Sequence, residues 1–183
     1  MAFNCSILLE DIDINCNKHT VGGIKKAILV LQSDITITFN PSDETEVTNV
    51  DIAVDGVTLL PKVAVFTHNT KDNATSFSEA KNTSNGLGLV TTNITIQIPN
   101  VSNSVNKIDY MSRREDIVCV LLHNNDTVTI SGWMDGLTMN YDANSGTGIA
   151  SKSIIDVNLT TESGIASLVL DSKSVFSDQT IFD

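Results

Sequence analysis

Alternation of apolar and polar residues is clearest in the segment 91–98, where isoleucine takes every second position from Ile94 onward. Successive side chains of a strand point to opposite faces, so this pattern predicts a long two-faced β-strand. Ile94, Ile96 and Ile98 are expected to lie in the core. The opposite face is polar but carries no charge, and it consists of Thr91, Asn93, Thr95 and Gln97.

The residues after Pro99 have a different period. Val101, Val105, Ile108 and Met111 follow one another at spacings of four, three and three, which is typical of an amphipathic helix. We therefore predict a helix of about three turns whose apolar stripe packs on the sheet.

The remaining segments predict strands separated by short polar turns. These strands are expected at residues 25–32, 35–39, 47–54, 62–68, 75–80, 116–123, 127–133, 137–141, 153–160 and 165–170. Residues 162–164 are expected to form a hairpin tip, and so are Asn69, Thr70, Lys71, Asp72 and Asn73. Turn signals every eight to twelve residues favour a β-sandwich or barrel.

No repeat or linker divides the chain. Its 183 residues suffice for one domain that buries a core without disulfides. We predict an N-terminal arm at residues 1–20, a β domain at 21–171 and a C-terminal tail at 172–183.

The charge is strongly acidic, with 22 Asp and Glu against 11 Lys and Arg and a net charge of −11. Nucleic acids and anionic membranes bind cationic surfaces, so the balance argues against specific binding to either. It does not oppose DNA that passes nearby, because a weakly repelling wall suits a conduit. The longest apolar run, residues 117–122, is six residues, which predicts a buried strand and no membrane span.

No cluster of residues predicts catalysis or a metal site. The three cysteines have no CxxC spacing and are expected to be free thiols. Asp11 and Asp13 lack further oxygen ligands at a calcium-loop spacing. Cys119 and His123 would share one strand face but lie about 13 Å apart, too far for a nucleophile and its base. We therefore predict no enzymatic activity, no cofactor and no metal.

Two aromatic residues leave a second function open. Trp133 and Tyr141 bracket a glycine turn and could stack on a sugar ring, as in a carbohydrate-binding β-sandwich of a virion or cell surface. Aromatic residues of a core or of a subunit interface are the simpler interpretation.

Several short phrases resemble the tail tube proteins of tailed bacteriophages. The long strand that leads into a helix and the apolar strand at 117–122 belong to the resemblance, which covers residues 20–171. The phrases lie at residues 22–26, 55–56, 77–79, 85–86, 135–137 and 145–146, together with a closing segment at 154–170.

The resemblance implies a tail-tube-like β-sandwich or barrel with one flanking α-helix, assembled in rings whose inner sheets join into one barrel. Such rings usually hold six copies in a tail tube and sometimes twelve in a neck or connector ring, and the fold also builds the secreted ring of type VI systems. The polar face at Thr91, Asn93, Thr95 and Gln97 would then meet the lumen or a neighbouring subunit. The loop 69–73 would bridge rings, and the stripe that ends at Ile108 and Met111 would hold the helix on the barrel.

The function expected from this resemblance is structural. The chain would be a virion protein, made in the host cytoplasm, whose partners are its own copies and other neck or tail proteins. DNA would pass through the ring without specific binding.

Overall fold

The structure is a computed structural model that describes residues 23–53, 63–67, 75–83, 88–99, 106, 108–109, 111–144 and 154–182. Its strands confirm the mainly-β class. They are β1 Ile24–Leu31, β2 Ile35–Asn40, β3 Asp43–Ile52, β4 Val63–Thr67, β5 Thr75–Asn82, β6 Leu89–Pro99, β7 Ile117–His123, β8 Val128–Ser131, β9 Thr138–Asn144, β10 Ile154–Ser163 and β11 Leu168–Leu170. Short 3-10 turns lie at Gln32–Asp34, Lys173–Val175 and Thr180–Phe182.

The strands form three antiparallel sheets. A five-stranded sheet has the order β11-β8-β7-β1-β4, and a four-stranded sheet has the order β5-β6-β10-β9. The strands β2 and β3 pair as a separate hairpin. The long strand β6 pairs with both β5 and β10, so it lies inside the four-stranded sheet.

The five-stranded sheet is buried on both faces, which explains the unbroken apolar run at 117–122. Its first face packs on the four-stranded sheet through one core cluster, whose members include Leu29, Leu121, Ile96, Val157 and Ile108. Its second face is covered by the β2–β3 hairpin and by the C-terminal segment. This second cluster includes Val30, Val50, Val120, Ile130, Phe176 and Phe182. A strand enclosed in this way needs apolar side chains at consecutive positions.

Two predicted hairpins are wrong, because the strands on either side of each connection belong to different sheets. β4 pairs with β1 of the five-stranded sheet, whereas β5 pairs with β6 of the four-stranded sheet. Likewise β10 pairs with β6 and β9, whereas β11 pairs with β8. Both connections therefore pass from one sheet to the other. The loop residues 69–73 themselves lie outside the described residues.

The predicted three-turn helix is not confirmed within the described part of the chain. Helical backbone occurs at Asn106, Ile108, Asp109, Met111 and Ser112, but the described residues contain no α-helix of seven or more residues. Ile108 is buried and Met111 is half-buried against the first core cluster. Val101 and Val105 lie outside the described residues, as does the arm at 1–20.

The C-terminal segment is part of the core. Phe176 and Phe182 are each 3% exposed and meet edge to face, with ring centroids 4.8 Å apart. The Ser177 backbone N–H donates to the Val50 carbonyl oxygen at 2.9 Å, and Phe176 forms a parallel bridge with Val50. The segment therefore ties the β2–β3 hairpin to the five-stranded sheet.

Candidate functional site

The outer face of the four-stranded sheet, which points away from the five-stranded sheet, is the candidate site. The predicted residues Thr91, Asn93, Thr95 and Gln97 lie on it, with Asn93 exposed and the other three half-buried. Ile94, Ile96 and Ile98 of the same strand are buried beneath, as the alternation predicts. The registers of the neighbouring strands add Ser76, Ser78, Ala80, Thr138, Asn140, Asp142, Ile154, Asp156, Asn158, Thr160 and Glu162.

Polar side chains align in rows across the four strands of this outer face. One row contains Ser76, Thr95, Asn158 and Asn140, and the next contains Ser78, Asn93, Thr160 and Thr138. Within the first row, the Thr95 hydroxyl donates to the Asn158 side-chain oxygen at 2.9 Å. Residues opposite one another on antiparallel strands lie about 4.5–5.5 Å apart, so these rows form a continuous layer of hydroxyl and amide groups.

The only charges on the described part of the outer face are negative. Asp142 and Asp156 stand directly opposite each other, next to Gln97, and Glu162 lies toward the other end of β10. Like charges in this arrangement destabilise a sheet. The Oδ1 atom of Asp156 is enclosed and has no hydrogen-bond partner. No described Lys or Arg belongs to the face, so its potential is negative.

The two edges of the four-stranded sheet, as described, are β5 and β9. Edge strands offer backbone N–H and C=O groups to a further strand, and proteins usually protect them with lysine, proline or bulges. β9 has neither lysine nor proline, and β5 has only Lys81 near its end. The two edges have similar lengths of eight and seven residues.

The two aromatic residues of the carbohydrate hypothesis are not brought together. Trp133 packs on the second core cluster, where its ring lies 5.7 Å from that of Phe39, and its indole N–H donates to the Ala166 carbonyl oxygen at 3.2 Å. Tyr141 packs on the first core cluster, and its hydroxyl donates to Asp109 at 3.3 Å. The five-stranded sheet separates the two clusters, so the two rings form no common platform.

Cys119 and His123 lie on one face of β7 but have separate surroundings. Cys119 is completely buried, and this burial raises the pKa of its thiol far above the usual range, so the thiol stays protonated. The His123 ring nitrogen Nε2 shares a hydrogen bond with the Thr129 hydroxyl at 2.8 Å. The thiol is therefore not activated by the imidazole.

His123 gives folding stability a pH dependence. Partial burial lowers the pKa of its imidazole below the ordinary value of 6.5, so the unfolded chain binds the proton more readily. Stability from this group is complete above pH 6.5 and is lost as the pH falls from there toward the folded pKa. We expect the urea midpoint to fall between pH 7.5 and 5.5, and His123→Gln to reduce that fall. Hydrogen bonds from Arg114 are the chief cause that lowers the carboxyl pKa of Asp116. The stability that Asp116 contributes is therefore lost only below about pH 3.8, outside this range. If the urea midpoint of His123→Gln falls with pH as steeply as that of the wild type, the assignment of this pH dependence to His123 is wrong.

Two other features are absent from the described part of the chain. No group of three or more His, Cys, Asp or Glu side chains there could hold a metal ion. No described helix is long and apolar enough to cross a membrane.

The sequence reveals one strand of the outer face and not the whole of it. The segment 138–142 has the same alternation of Thr, Met, Asn, Tyr and Asp, and 154–160 alternates similarly. These patterns predict two-faced strands, but they do not show that both strands belong to the same sheet as β6. The pairing of β10 with β6 on one side and with β9 on the other shows this arrangement in the structure.

Comparison of the chain with protein-family models, with curated proteins and with solved structures finds no match.

Proposed function

We propose that this chain is a structural virion subunit that forms a ring of a phage tail tube or of the head–tail neck, and that the ring makes a conduit for DNA. The observation that carries the proposal is the outer face of the four-stranded sheet. It is a continuous layer of small hydroxyl and amide side chains whose only described charges are negative. The ring itself is inferred from the resemblance to tail tube proteins.

The composition of the outer face favours a lumen over a subunit seam. The buried centre of an interface is usually apolar and aromatic, with few charges. Among the described residues, the outer face instead has Leu89 and Ile154 as large apolar residues beside three carboxylates, so burial against another protein would leave polar groups to be satisfied. Facing a water-filled lumen, the hydroxyl, amide and carboxylate groups that reach the surface can form their hydrogen bonds with water.

The charge of the face suits DNA that must pass without binding. Duplex DNA associates with surfaces that neutralise its phosphates, and each contact requires a lysine or an arginine. Asp142, Asp156 and Glu162 supply the opposite sign. The rows of hydroxyl and amide groups between them offer hydrogen bonds but no fixed attraction to phosphate.

The carbohydrate-binding alternative has no observation in its favour, since Trp133 and Tyr141 lie on different sides of the five-stranded sheet.

The ring proposal requires two kinds of partner. One is further copies of this chain, and the other is the neighbouring neck or tail proteins above and below the ring.

Assembly tests the proposal first. Purified protein is expected to form rings with a central hole in negative-stain images. Mass photometry should then distinguish six copies from twelve. Protein that is monomeric at every concentration and salt condition would overturn the proposal.

Adding positive charge to the outer face tests the lumen. The wild-type ring should not retain a short linear DNA duplex at low salt. Asn93→Lys with Thr95→Lys should retain it, with affinity that falls steeply with salt, because each phosphate contact contributes a slope of about −0.9. A matched control places the two lysines at Ser174 and Gln179, which are exposed on the C-terminal segment. Tight binding by the wild type, or equal binding by both variants, would contradict the lumen assignment.

A further inference from the structure

The inner face of the four-stranded sheet changes from apolar to polar toward one end. One inward row belongs to the first core cluster and consists of Phe77, Ile94 and Leu159. The next inward row crosses the same three strands and consists of Glu79, Thr92 and Thr161. Burial of such a row costs free energy unless its polar groups find partners.

The chain itself satisfies this polar row only in part. Thr92 is 3% exposed, and its hydroxyl forms no hydrogen bond within the described part of the chain. The half-buried carboxylate of Glu79 accepts from the Ser167 backbone N–H through both oxygens at 3.2 Å, but no described Lys or Arg forms an ion pair with it. Charges that are removed from water are normally paired, so a cation would complete this end of the sandwich.

A narrow cleft gives access to the polar row from outside. Thr92 and Thr161 line it, and so does Asp135, an exposed carboxylate that accepts a hydrogen bond from the Ser163 hydroxyl. No lysine or arginine is among the described residues that line the cleft. Its enclosed part has room for about one group the size of a water molecule. The cleft therefore offers hydrogen-bond acceptors and negative charge to a small cationic group.

The rim of this cleft is apolar. Met134 is 49% exposed and Ile165 is 45% exposed, and both line the cleft together with the half-buried Trp133. Val169, which is 70% exposed, lies two residues beyond Ser167, another lining residue. Met134, Ile165 and Val169 are the exposed large apolar residues of the described part of the chain, and a concentration of such residues is typical of a binding surface.

We propose that the cleft binds a lysine side chain of a partner protein. An ammonium group is compact and has three donors, so it can enter the enclosed part, donate to Thr92 and Asp135, and partly neutralise Glu79. The aliphatic stem and the apolar neighbours of that lysine would cover the rim. A guanidinium group is larger and planar, so the enclosed part discriminates against arginine.

The partner is inferred to be a different, basic protein. Copies of this chain each have a net charge of −11 and repel one another electrostatically, whereas a basic surface is attracted to the carboxylates of the cleft. The inference does not depend on the proposed ring.

A fluorescence titration tests the proposal. Trp133 is the only tryptophan of the chain and lines the cleft, so its emission reports on occupancy. The probe is the acetylated, amidated tripeptide Leu-Lys-Leu, for which we expect saturable binding with a dissociation constant on the order of 1 mM that weakens with salt. The same tripeptide with norleucine or arginine at its centre should bind at least about fivefold more weakly.

Two variants identify the groups that hold the ammonium. Thr92→Val removes the hydroxyl and keeps the side-chain shape, and Asp135→Asn removes one charge; each should weaken binding of the lysine peptide by about fivefold or more. The thermal midpoint of Thr92→Val should not fall, because the hydroxyl has no described partner to lose. Thr138→Val, at an exposed position on the outer face of the same sheet, is the matched control and should bind like the wild type.

Three results would overturn the lysine assignment. They are equal affinities for the lysine and norleucine peptides, wild-type affinity in both Thr92→Val and Asp135→Asn, and unchanged Trp133 emission with every peptide. Rings that form from a protein without peptide binding would overturn this inference alone. Peptide binding by a protein that forms no rings would overturn only the proposed ring.

Discussion

Replacing Gly136 with alanine is expected to destabilise the fold by about 2 to 5 kcal/mol. Gly136 has a φ of +74°, in the left-handed region that costs other residues about 1 to 2 kcal/mol. A Cβ atom there would overlap the Glu115 carbonyl oxygen and lie 3.1 Å from the Asp116 Cα. Both obstacles are backbone atoms that lead directly into the buried strand β7, so they cannot move aside cheaply. Urea unfolding of the variant measures the loss.

Gly164→Ala is the matched control for this substitution. No atom lies within 4 Å of the Cβ that would be added at Gly164, which is exposed between β10 and β11. Its free energy of unfolding should change by less than about 1 kcal/mol, and a small gain is possible because alanine restricts the unfolded chain. Equal losses in the two variants would show that the close approach of the 132–136 turn to residues 115–116 contributes nothing to stability.

The two most informative strands were predictable because burial acts directly on their side chains. Strand β6 has one face in the core and one on the outside, so its isoleucines must alternate with polar residues. Strand β7 is enclosed between the four-stranded sheet and the β2–β3 layer, so apolar residues must fill consecutive positions. In both cases the side-chain pattern records how many faces of the strand are covered.

The wrong hairpins have a physical cause as well. A periodic pattern shows which side chains point inward, but it does not show which strand is the neighbour. The turn after β10 contains glycine and polar residues, which suit a hairpin. The same few residues also allow the chain to turn from one sheet to the other, and Ile165 and Val169 are exposed after that turn.

The candidate site was only partly predictable for the same reason. Thr91, Asn93, Thr95 and Gln97 are visible as a polar face because they share a single strand. The opposition of Asp142 and Asp156 depends on the register of β9 and β10, two strands separated by a loop that no periodicity aligns. The exposure of Val169 is still harder to predict, since it depends on which sheet β11 joins.

A chain that stops at residue 171 is expected to lose most of its folding stability. The sequence predicts a C-terminal tail at 172–183, and its Phe176 and Phe182 are buried in the second core cluster. Loss of one buried phenylalanine costs about 3 to 5 kcal/mol, and a domain has a total stability of about 5 to 15 kcal/mol. Removal of both rings therefore approaches the whole stability. The same face of β1 and β7 would also be exposed to water and would promote aggregation.

Single substitutions show whether the aromatic pair is responsible. Phe176→Ala should lower the free energy of unfolding by about 3 to 5 kcal/mol. Gln179→Ala, an exposed position in the same segment, should leave it nearly unchanged. The effect should extend to β3, because Phe176 and Ser177 hold its Val50 backbone. Hydrogen exchange in Phe176→Ala should then accelerate in the β2–β3 hairpin more than in β6, whose core cluster the ring does not touch. Two results would contradict this role of the C-terminal segment. One is hydrogen exchange in the β2–β3 hairpin of Phe176→Ala that is as slow as in the wild type. The other is a chain truncated at residue 171 that is as stable as the intact chain.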